Sequence, residues 1–105
     1  MGYKALYSKQ FHEQLMELSG SVYERAEHSI DVVLDEPGLL RDYGPSYDAA
    51  FPPVDCKWYL VPGSTKVLYL SIEYATRQMR FLYLGDTRED PLHRFDRMRN
   101  APEHL

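Results

Sequence analysis

The feature of this sequence that most constrains its fold is a run of three strand-like segments between Cys56 and Gly85. The segments CKWYLV (56–61), KVLYLSIE (66–73) and MRFLYLG (79–85) are rich in aromatic and aliphatic residues, and the turn-forming stretches PGST and YATRQ separate them. Because short turns reverse the chain direction, they predict an antiparallel meander. The middle segment is apolar at successive positions, which predicts a central strand buried on both faces.

The N-terminal part has the patterns of one strand and two helices. The alternating stretch YKALYS (3–8) predicts a first strand, and Ser8 is a candidate cap for the helix that follows. That helix ends at Gly20 and has apolar residues at helical spacing, namely Phe11, Leu15 and Leu18. SVYE (21–24) matches a capping box with its serine as N-cap. It opens a second helix, which ends at Pro37 and has the apolar stripe Val22, Ala26, Ile30 and Val33.

The order of these elements predicts an α+β fold. Residues 39–55 are rich in Pro, Gly and Asp and predict a long connecting loop, either functional or a plain surface linker. The stretch beginning at Asp90 has proline at the first helical position and predicts a short C-terminal helix. The β-α-α-β-β-β order predicts an antiparallel sheet that a helix pair covers on one face, in a single domain over residues 1–105.

Composition and charge restrict the classes of function. The net charge of -4 argues against a general nucleic-acid binder, although residues 77–99 form a slightly basic segment. The single cysteine excludes an intrachain disulfide. The N-terminus does not have the pattern of a signal peptide, and no apolar run approaches the roughly 20 residues that span a bilayer. We therefore expect a cytoplasmic protein without a membrane partner.

The element order, together with PGSTKVLYLSIE and FLYLGDTREDPLHRF, resembles the RelE/ParE superfamily of bacterial toxins from type II toxin–antitoxin pairs. In that superfamily an arginine usually opens the central strand, and the last strand is followed by a glycine and a charged motif. The resemblance implies a cognate antitoxin as partner. It also implies one of two activities, since RelE-like members cut mRNA on the ribosome without metal or cofactor and ParE-like members poison DNA gyrase.

The resemblance also implies catalytic residues. Lys66 stands where the family has its central-strand arginine, and Lys57 lies one strand earlier, where RelE-like toxins have basic residues. Arg88 matches the arginine after the glycine with a displacement of one position, and His93 matches the catalytic tyrosine or histidine. In metal-free RNA cleavage, cations stabilise the charge that develops on phosphate and another group moves protons. The implied roles are therefore charge stabilisation for the three cations and proton transfer for His93.

Three further residues are candidate RNA contacts. Tyr59 lies two positions after Lys57, and Arg94 and Phe95 follow His93, where an aromatic ring can stack on a base. The candidate cations have ordinary structural alternatives, because lysines at strand starts often protect sheet edges and Arg88, within DTRED, can be a salt-bridged surface arginine. Asp86 has the position of a solvated turn residue. The sequence thus favours a RelE-like endoribonuclease, with a non-enzymatic interaction protein of the same fold as the alternative.

Overall fold

The computed structural model describes residues 2–47 and 54–89, in which two helices pack on a five-stranded sheet. The strands are β1 (Lys4–Tyr7), β2 (Arg41–Tyr47), β3 (Val54–Leu60), β4 (Lys66–Glu73) and β5 (Gln78–Asp86). The helices are α1 (Lys9–Glu17) and α2 (Gly20–Asp35), and a 3-10 turn follows at Pro37–Leu39. The strand order β1-β5-β4-β3-β2 makes β4 the central strand. The predicted α+β class is confirmed.

The sheet is mixed rather than wholly antiparallel. Strands β3, β4 and β5 form the predicted antiparallel meander. The prediction of an antiparallel sheet was wrong for β1, which pairs parallel with β5 from Lys4 opposite Gln78 to Tyr7 opposite Phe81. No local turn joins these two strands, so their relative direction depends on how the helices pack and cannot be read from strand spacing.

Strand β2 lies within the stretch that was predicted to be a connecting loop. It pairs antiparallel with β3 at the edge of the sheet, and its register shifts between Asp42 and Ser46, on either side of Gly44 and Pro45. Proline has no N–H group to donate, so a strand that contains it is confined to an edge or a bulge. Gly44 and Pro45 interrupt the alternation of apolar and polar residues that indicates a strand, so the sequence did not predict one here. Residues 48–53 and the predicted C-terminal helix from Asp90 lie outside the described residues.

The two helices begin differently. Ser8 caps α1 as predicted, because its Oγ accepts a hydrogen bond of 3.0 Å from the backbone N–H of Phe11. The predicted N-cap of α2 at Ser21 was wrong: the N-cap is Ser19, without a side-chain cap bond. Gly20 follows with a φ of 59°, a left-handed conformation that favours glycine at this junction. In the described part of the chain, neither helix is long and apolar enough to cross a membrane.

The helices cover one face of the sheet and form the main core with it. Buried residues of this core come from the helices (Phe11, Leu15, Ala26, Ile30 and Val33) and from the sheet and its turns (Val61, Leu68, Leu70, Met79, Phe81 and Leu84). Three aromatic rings join α1 to the sheet, with centroid distances of 5.2 Å for Tyr7–Phe11, 5.6 Å for Tyr7–Phe81 and 5.3 Å for Phe11–Phe81. Helix α1 therefore lies directly over β5.

A β-bulge at Leu82 changes which side chains of β5 face the helices. Phe81 pairs with Leu70 and Tyr83 pairs with Tyr69, so Leu82 is one residue more than β4 has at this point. Paired residues lie on the same face and successive residues alternate. Met79 and Phe81 face the helices before the bulge, whereas Leu84 and Asp86 do so after it, since they pair with Leu68 and Lys66.

Side chains of the α1 region hold β5 beyond the end of β1. The buried Ser8 hydroxyl donates a 2.9 Å hydrogen bond to the carbonyl of Leu82, and the backbone N–H of Ser8 bonds to the carbonyl of Phe81. The backbone N–H of Leu84 donates to the Gln14 side-chain oxygen at 2.7 Å. These bonds take the place of a neighbouring strand and attach the bulged segment to the start of the helix.

We expect Ser8→Ala to lower the free energy of unfolding by about 2 kcal/mol, because it removes a helix cap and leaves the carbonyl of Leu82 without its partner. Ser21→Ala is the matched control, since Ser21 is exposed and is not the cap. It should change stability by less than about 0.5 kcal/mol. Urea unfolding of both variants measures the difference, and equal effects would contradict the roles assigned to the two serines.

Candidate functional site

A cleft of about 410 Å³ opens between the end of α1 and the ends of β4 and β5. Its described lining consists of Gln14, Glu17, Leu18, Lys66, Tyr83, Leu84, Gly85, Asp86 and Glu89. Lys66 is one of the predicted site residues, and a second, Arg88, adjoins the cleft through its bond to Asp86. The cleft is therefore the place where two of the predicted cations meet.

Lys66 and Arg88 converge on the carboxylate of Asp86. The Nε–H of Arg88 donates to Oδ1 at 2.8 Å, and Nη2 donates to Oδ2 at 2.9 Å, which is a bidentate fork. The Thr65 hydroxyl donates to Oδ2 at 2.8 Å. The Lys66 ammonium lies 3.5 Å from the same oxygen, a looser ion pair. One buried carboxylate thus holds both cations.

The Asp86 carboxylate belongs to a hydrogen-bonded turn. Its Oδ1 accepts a bond of 2.9 Å from the backbone N–H of Arg88, and Glu89 Oε1 accepts one of 2.9 Å from the backbone N–H of Asp86. This reciprocal arrangement has the form of a capping box. The other carboxylate oxygen of Glu89 accepts a bond of 2.9 Å from the Tyr83 hydroxyl. The turn is therefore attached to β5 by side chains as well as by the backbone.

The interpretation of Asp86 as a solvated turn residue was wrong. Its side chain is only 11% exposed, whereas that of Arg88 is 78% exposed. The side-chain hydrogen bond from Arg88, aided by bonds from the Arg88 backbone and from Thr65, holds the pKa of Asp86 well below its ordinary value. Asp86 is therefore ionised at neutral pH. The Asp-x-x-Glu spacing from Asp86 to Glu89 is the sequence pattern that could have identified this turn.

Neither Lys57 nor Tyr59 lines this cleft. Lys57 pairs with Leu70, four residues along β4 from Lys66, which corresponds to about 13 Å at the usual rise per residue. Its ammonium forms an ion pair of 2.5 Å with Asp42 of β2. Tyr59 is half-buried, packs against the core and lines a separate groove. Of the predicted site residues that are described, Lys66 and Arg88 are the two that share a carboxylate partner.

The remaining predicted residues, His93, Arg94 and Phe95, lie outside the described part of the chain. Within residues 2–47 and 54–89, no group of His, Cys, Asp and Glu is arranged to hold a metal ion. Cys56 is not activated, because burial raises the pKa of its thiol to about 12. Among the described residues that line the cleft, the carboxylates are those of Glu17, Asp86 and Glu89.

The charges at the cleft restrict what it can bind. Glu17, Asp86 and Glu89 contribute negative charge, and Lys66 and Arg88 contribute positive charge. An anionic ligand therefore gains most at the exposed guanidinium of Arg88 and loses energy deeper in the cleft. The arrangement can bind a phosphate group at its mouth, because arginine presents several N–H donors in one plane.

The fold is that of the RelE toxins. No protein-family model matches the sequence, and a search of curated proteins found no match. Among solved structures, a chain of the archaeal RelE–RelB complex from Pyrococcus horikoshii OT3 is 17% identical, with a TM-score of 0.67 over 86% of this chain and 100% of that chain. The isolated RelE toxin of E. coli is 14% identical, with a TM-score of 0.65 over 87% and 90% of the two chains.

A third similar structure is a mutant of the E. coli RelE toxin in the free state. It is 14% identical, with a TM-score of 0.66 over 89% of this chain and 92% of that chain. The fold implied by the resemblance to the RelE/ParE superfamily is confirmed by these three structures. At such identities the similarity concerns the fold, and the activity has to be argued from the site.

Because the pKa of Asp86 is lowered in the folded state, its charge should stabilise the protein above the unfolded pKa of about 3.9. This stabilisation should be complete above about pH 5 and should decline as the pH falls below about 4 towards the folded pKa. We therefore expect the stability difference between wild type and Asp86→Asn to be largest at neutral pH and to shrink in acid. Denaturant unfolding between pH 7 and pH 2.5 measures it.

The control for this measurement is Glu24→Gln, which neutralises an exposed carboxylate on α2. Its stability difference from wild type should stay below about 0.5 kcal/mol, because Glu24 is exposed on the surface of α2. A difference for Asp86→Asn that is independent of pH would show that its charge does not stabilise the turn.

Proposed function

We propose that this chain is the toxin of a type II toxin–antitoxin pair and a RelE-like, metal-independent endoribonuclease that cuts mRNA on the ribosome. The observation that carries the proposal is the convergence of Lys66 and Arg88 at the mouth of one cleft, on a fold shared with RelE toxins. Lys66 is the first residue of β4, whereas Arg88 follows the end of β5. Both were predicted as charge-stabilising groups. Their proximity supports a common site for phosphate.

The proposed reaction is attack of a ribose 2′-hydroxyl on the adjacent phosphorus. A proton leaves the 2′-oxygen, the new O–P bond forms, and the bond to the 5′-oxygen breaks as that oxygen takes up a proton. Lys66 and Arg88 stabilise the additional negative charge on the phosphate oxygens, and His93 moves a proton. Because Lys57 lies about 13 Å from Lys66 along the sheet, it contacts a different phosphate from the one that is cleaved.

The proposal assigns RNA binding to three further residues. Tyr59, Arg94 and Phe95 contact the RNA on either side of the cleaved phosphate, with an aromatic ring stacked on a base. Tyr59 is only partly buried against the core, and the exposed part of its side chain makes this contact. The ribosome supplies a further binding surface for the RNA, which is consistent with a net charge of -4 that is too negative for unaided RNA binding.

The proposed protein partner is a cognate antitoxin. One of the similar structures is a RelE–RelB complex, which supports a partner of that kind. The sheet of this chain has β1 and β2 as its edge strands, and edge strands can accept an added strand. Co-expression with the reading frame adjacent to its gene, followed by co-purification, tests the partner. A neighbouring product that neither binds nor neutralises this chain would contradict the proposal.

We expect Arg88→Ala and Lys66→Ala each to lower the rate of mRNA cleavage by about 100-fold, because each removes a group that stabilises the transition-state charge. Cleavage of a reporter mRNA in a cell-free translation reaction measures the rate. Lys9→Ala is the matched control, since Lys9 is an exposed lysine on α1 away from the cleft. If both site variants cleave at the wild-type rate, Lys66 and Arg88 do not form the catalytic site.

A second candidate function is a non-enzymatic interaction protein of the same fold, either a ParE-like gyrase poison or a degenerate toxin that only binds its antitoxin. The observation that favours it is that all three described candidate cations form ion pairs with carboxylates. Lys57 pairs with Asp42, and Lys66 and Arg88 pair with Asp86. The phenotype on expression distinguishes the candidates. Arrested protein synthesis with cleaved mRNA supports the endoribonuclease, and DNA damage with filamentation supports the gyrase poison. Absence of a phenotype supports the degenerate toxin.

A further inference from the structure

The fork between Arg88 and Asp86 determines which donors of the guanidinium remain available. Asp86 engages Nε–H and one N–H of Nη2. The N–H groups of Nη1 and the outer N–H of Nη2 lie on the other edges of the same rigid plane. The Arg88 side chain is 78% exposed, so these edges are accessible to a ligand. A guanidinium fixed in this way loses less conformational entropy when it binds than a freely rotating one.

Lys66 is held less tightly than Arg88. Its ammonium lies 3.5 Å from Asp86 Oδ2, whereas the Arg88 and Thr65 donors lie 2.9 and 2.8 Å from that atom. An ammonium at this distance can turn towards a second anion without breaking a short hydrogen bond. Because the fork with Arg88 already compensates the carboxylate charge, the Lys66 ammonium is left as a loosely paired positive charge at the mouth of the cleft.

The carboxylate itself is not free to leave its position. It accepts bonds from the Thr65 hydroxyl and from the backbone N–H of Arg88, and the backbone of Asp86 is bonded to Glu89. Moving the carboxylate away from the cations would break the turn as well as the ion pairs. The arrangement therefore suits a fixed support for the cations better than a displaceable competitor of the phosphate.

We propose that Asp86 is a positioning residue for a phosphate site formed by Arg88 and Lys66, so that the outer N–H groups of Arg88 bind a phosphodiester of single-stranded RNA. This inference rests on the proposed endoribonuclease function, which it deepens by naming the residue that orients the charge-stabilising groups. Asp86 touches neither the reacting atoms nor the substrate, and it acts through Arg88.

The test is a double-mutant cycle on Asp86→Asn and Arg88→Ala, with single-turnover cleavage of RNA on the ribosome as the readout. Asn keeps the shape of the side chain and removes its charge. We expect Asp86→Asn to lower the cleavage rate constant by on the order of 100-fold, since misplacing a catalytic group by about 1 Å has such an effect. The concentration of ribosome–RNA complex for half-maximal rate should change less than about 3-fold. In the Arg88→Ala background, Asp86→Asn should have almost no further effect.

Three results would overturn the positioning role. A faster Asp86→Asn variant would show that the carboxylate competes with phosphate, and an unchanged rate would show that it is irrelevant to the reaction. Equal loss of rate in the presence and absence of Arg88 would show a general structural role. Glu24→Gln on α2 is the control for charge removal and should cleave at the wild-type rate.

A second variant covers the case in which Asp86→Asn does not fold. Thr65→Val keeps the Asp86 charge and removes only the hydroxyl that holds Oδ2. We expect it to fold and to reduce the rate constant by about 10-fold, a smaller loss than that of Asp86→Asn because the fork to Arg88 remains. A wild-type rate for a folded Thr65→Val would contradict the support assigned to Thr65 and Asp86.

A readout without cleavage separates this inference from the proposed function. In NMR spectra of the wild-type chain, the Nε–H signal of Arg88 should be protected from solvent exchange and should shift when inorganic phosphate is added. Asp86→Asn should abolish both effects. If the wild-type chain cleaves no RNA but shows them, the proposed function fails and the positioning of Arg88 stands. If RNA is cleaved and the signal is unprotected, the positioning fails alone.

Discussion

The β-bulge at Leu82 is the constraint on which the rest of this structure depends. One additional residue in β5 shifts the alternation of its side chains, so that Leu84 joins the helix-facing core and Asp86 lies on the same face as Lys66. Without that shift Asp86 would point to the opposite face. The bulge is stabilised from the start of α1, because Ser8 caps the helix and donates to the carbonyl of Leu82. Helix position and site geometry are thereby linked through one buried serine.

The site that results is organised around a buried negative charge. Such a charge is stable only when hydrogen bonds and opposite charges compensate it. Arg88, Thr65 and Lys66 provide this compensation at Asp86, and the bonds from Arg88 and Thr65 lower the pKa of the carboxyl. The same arrangement has two consequences for a ligand. It orients the exposed Arg88 guanidinium, and it adds a negative charge that opposes the binding of an anion in the cleft.

The sequence predicted the repetitive elements better than their assembly. The apolar run in β4 and the turns around it identified the meander, and Ser8 identified the start of α1. Strand β2 was missed, because Gly44 and Pro45 interrupt the alternation that indicates a strand. For the site, Lys66 and Arg88 were proposed from a family resemblance, whereas the residue that joins them, Asp86, was interpreted as a solvated turn residue. Its burial depends on packing between distant segments.

The sequence alone determined the α+β class, the central position of β4 and the proximity in the chain of Arg88 to the last strand. These properties follow from local patterns, since hydrophobic periodicity and turn residues act over a few positions. The tertiary structure alone decided the parallel pairing of β1, the bulge at Leu82 and the convergence of Lys66 and Arg88 on Asp86. The stretch FLYL (81–84) is apolar at every position, so it has no alternation from which the shift could be read. Only packing against α1 and β4 determines which of these side chains face the helices.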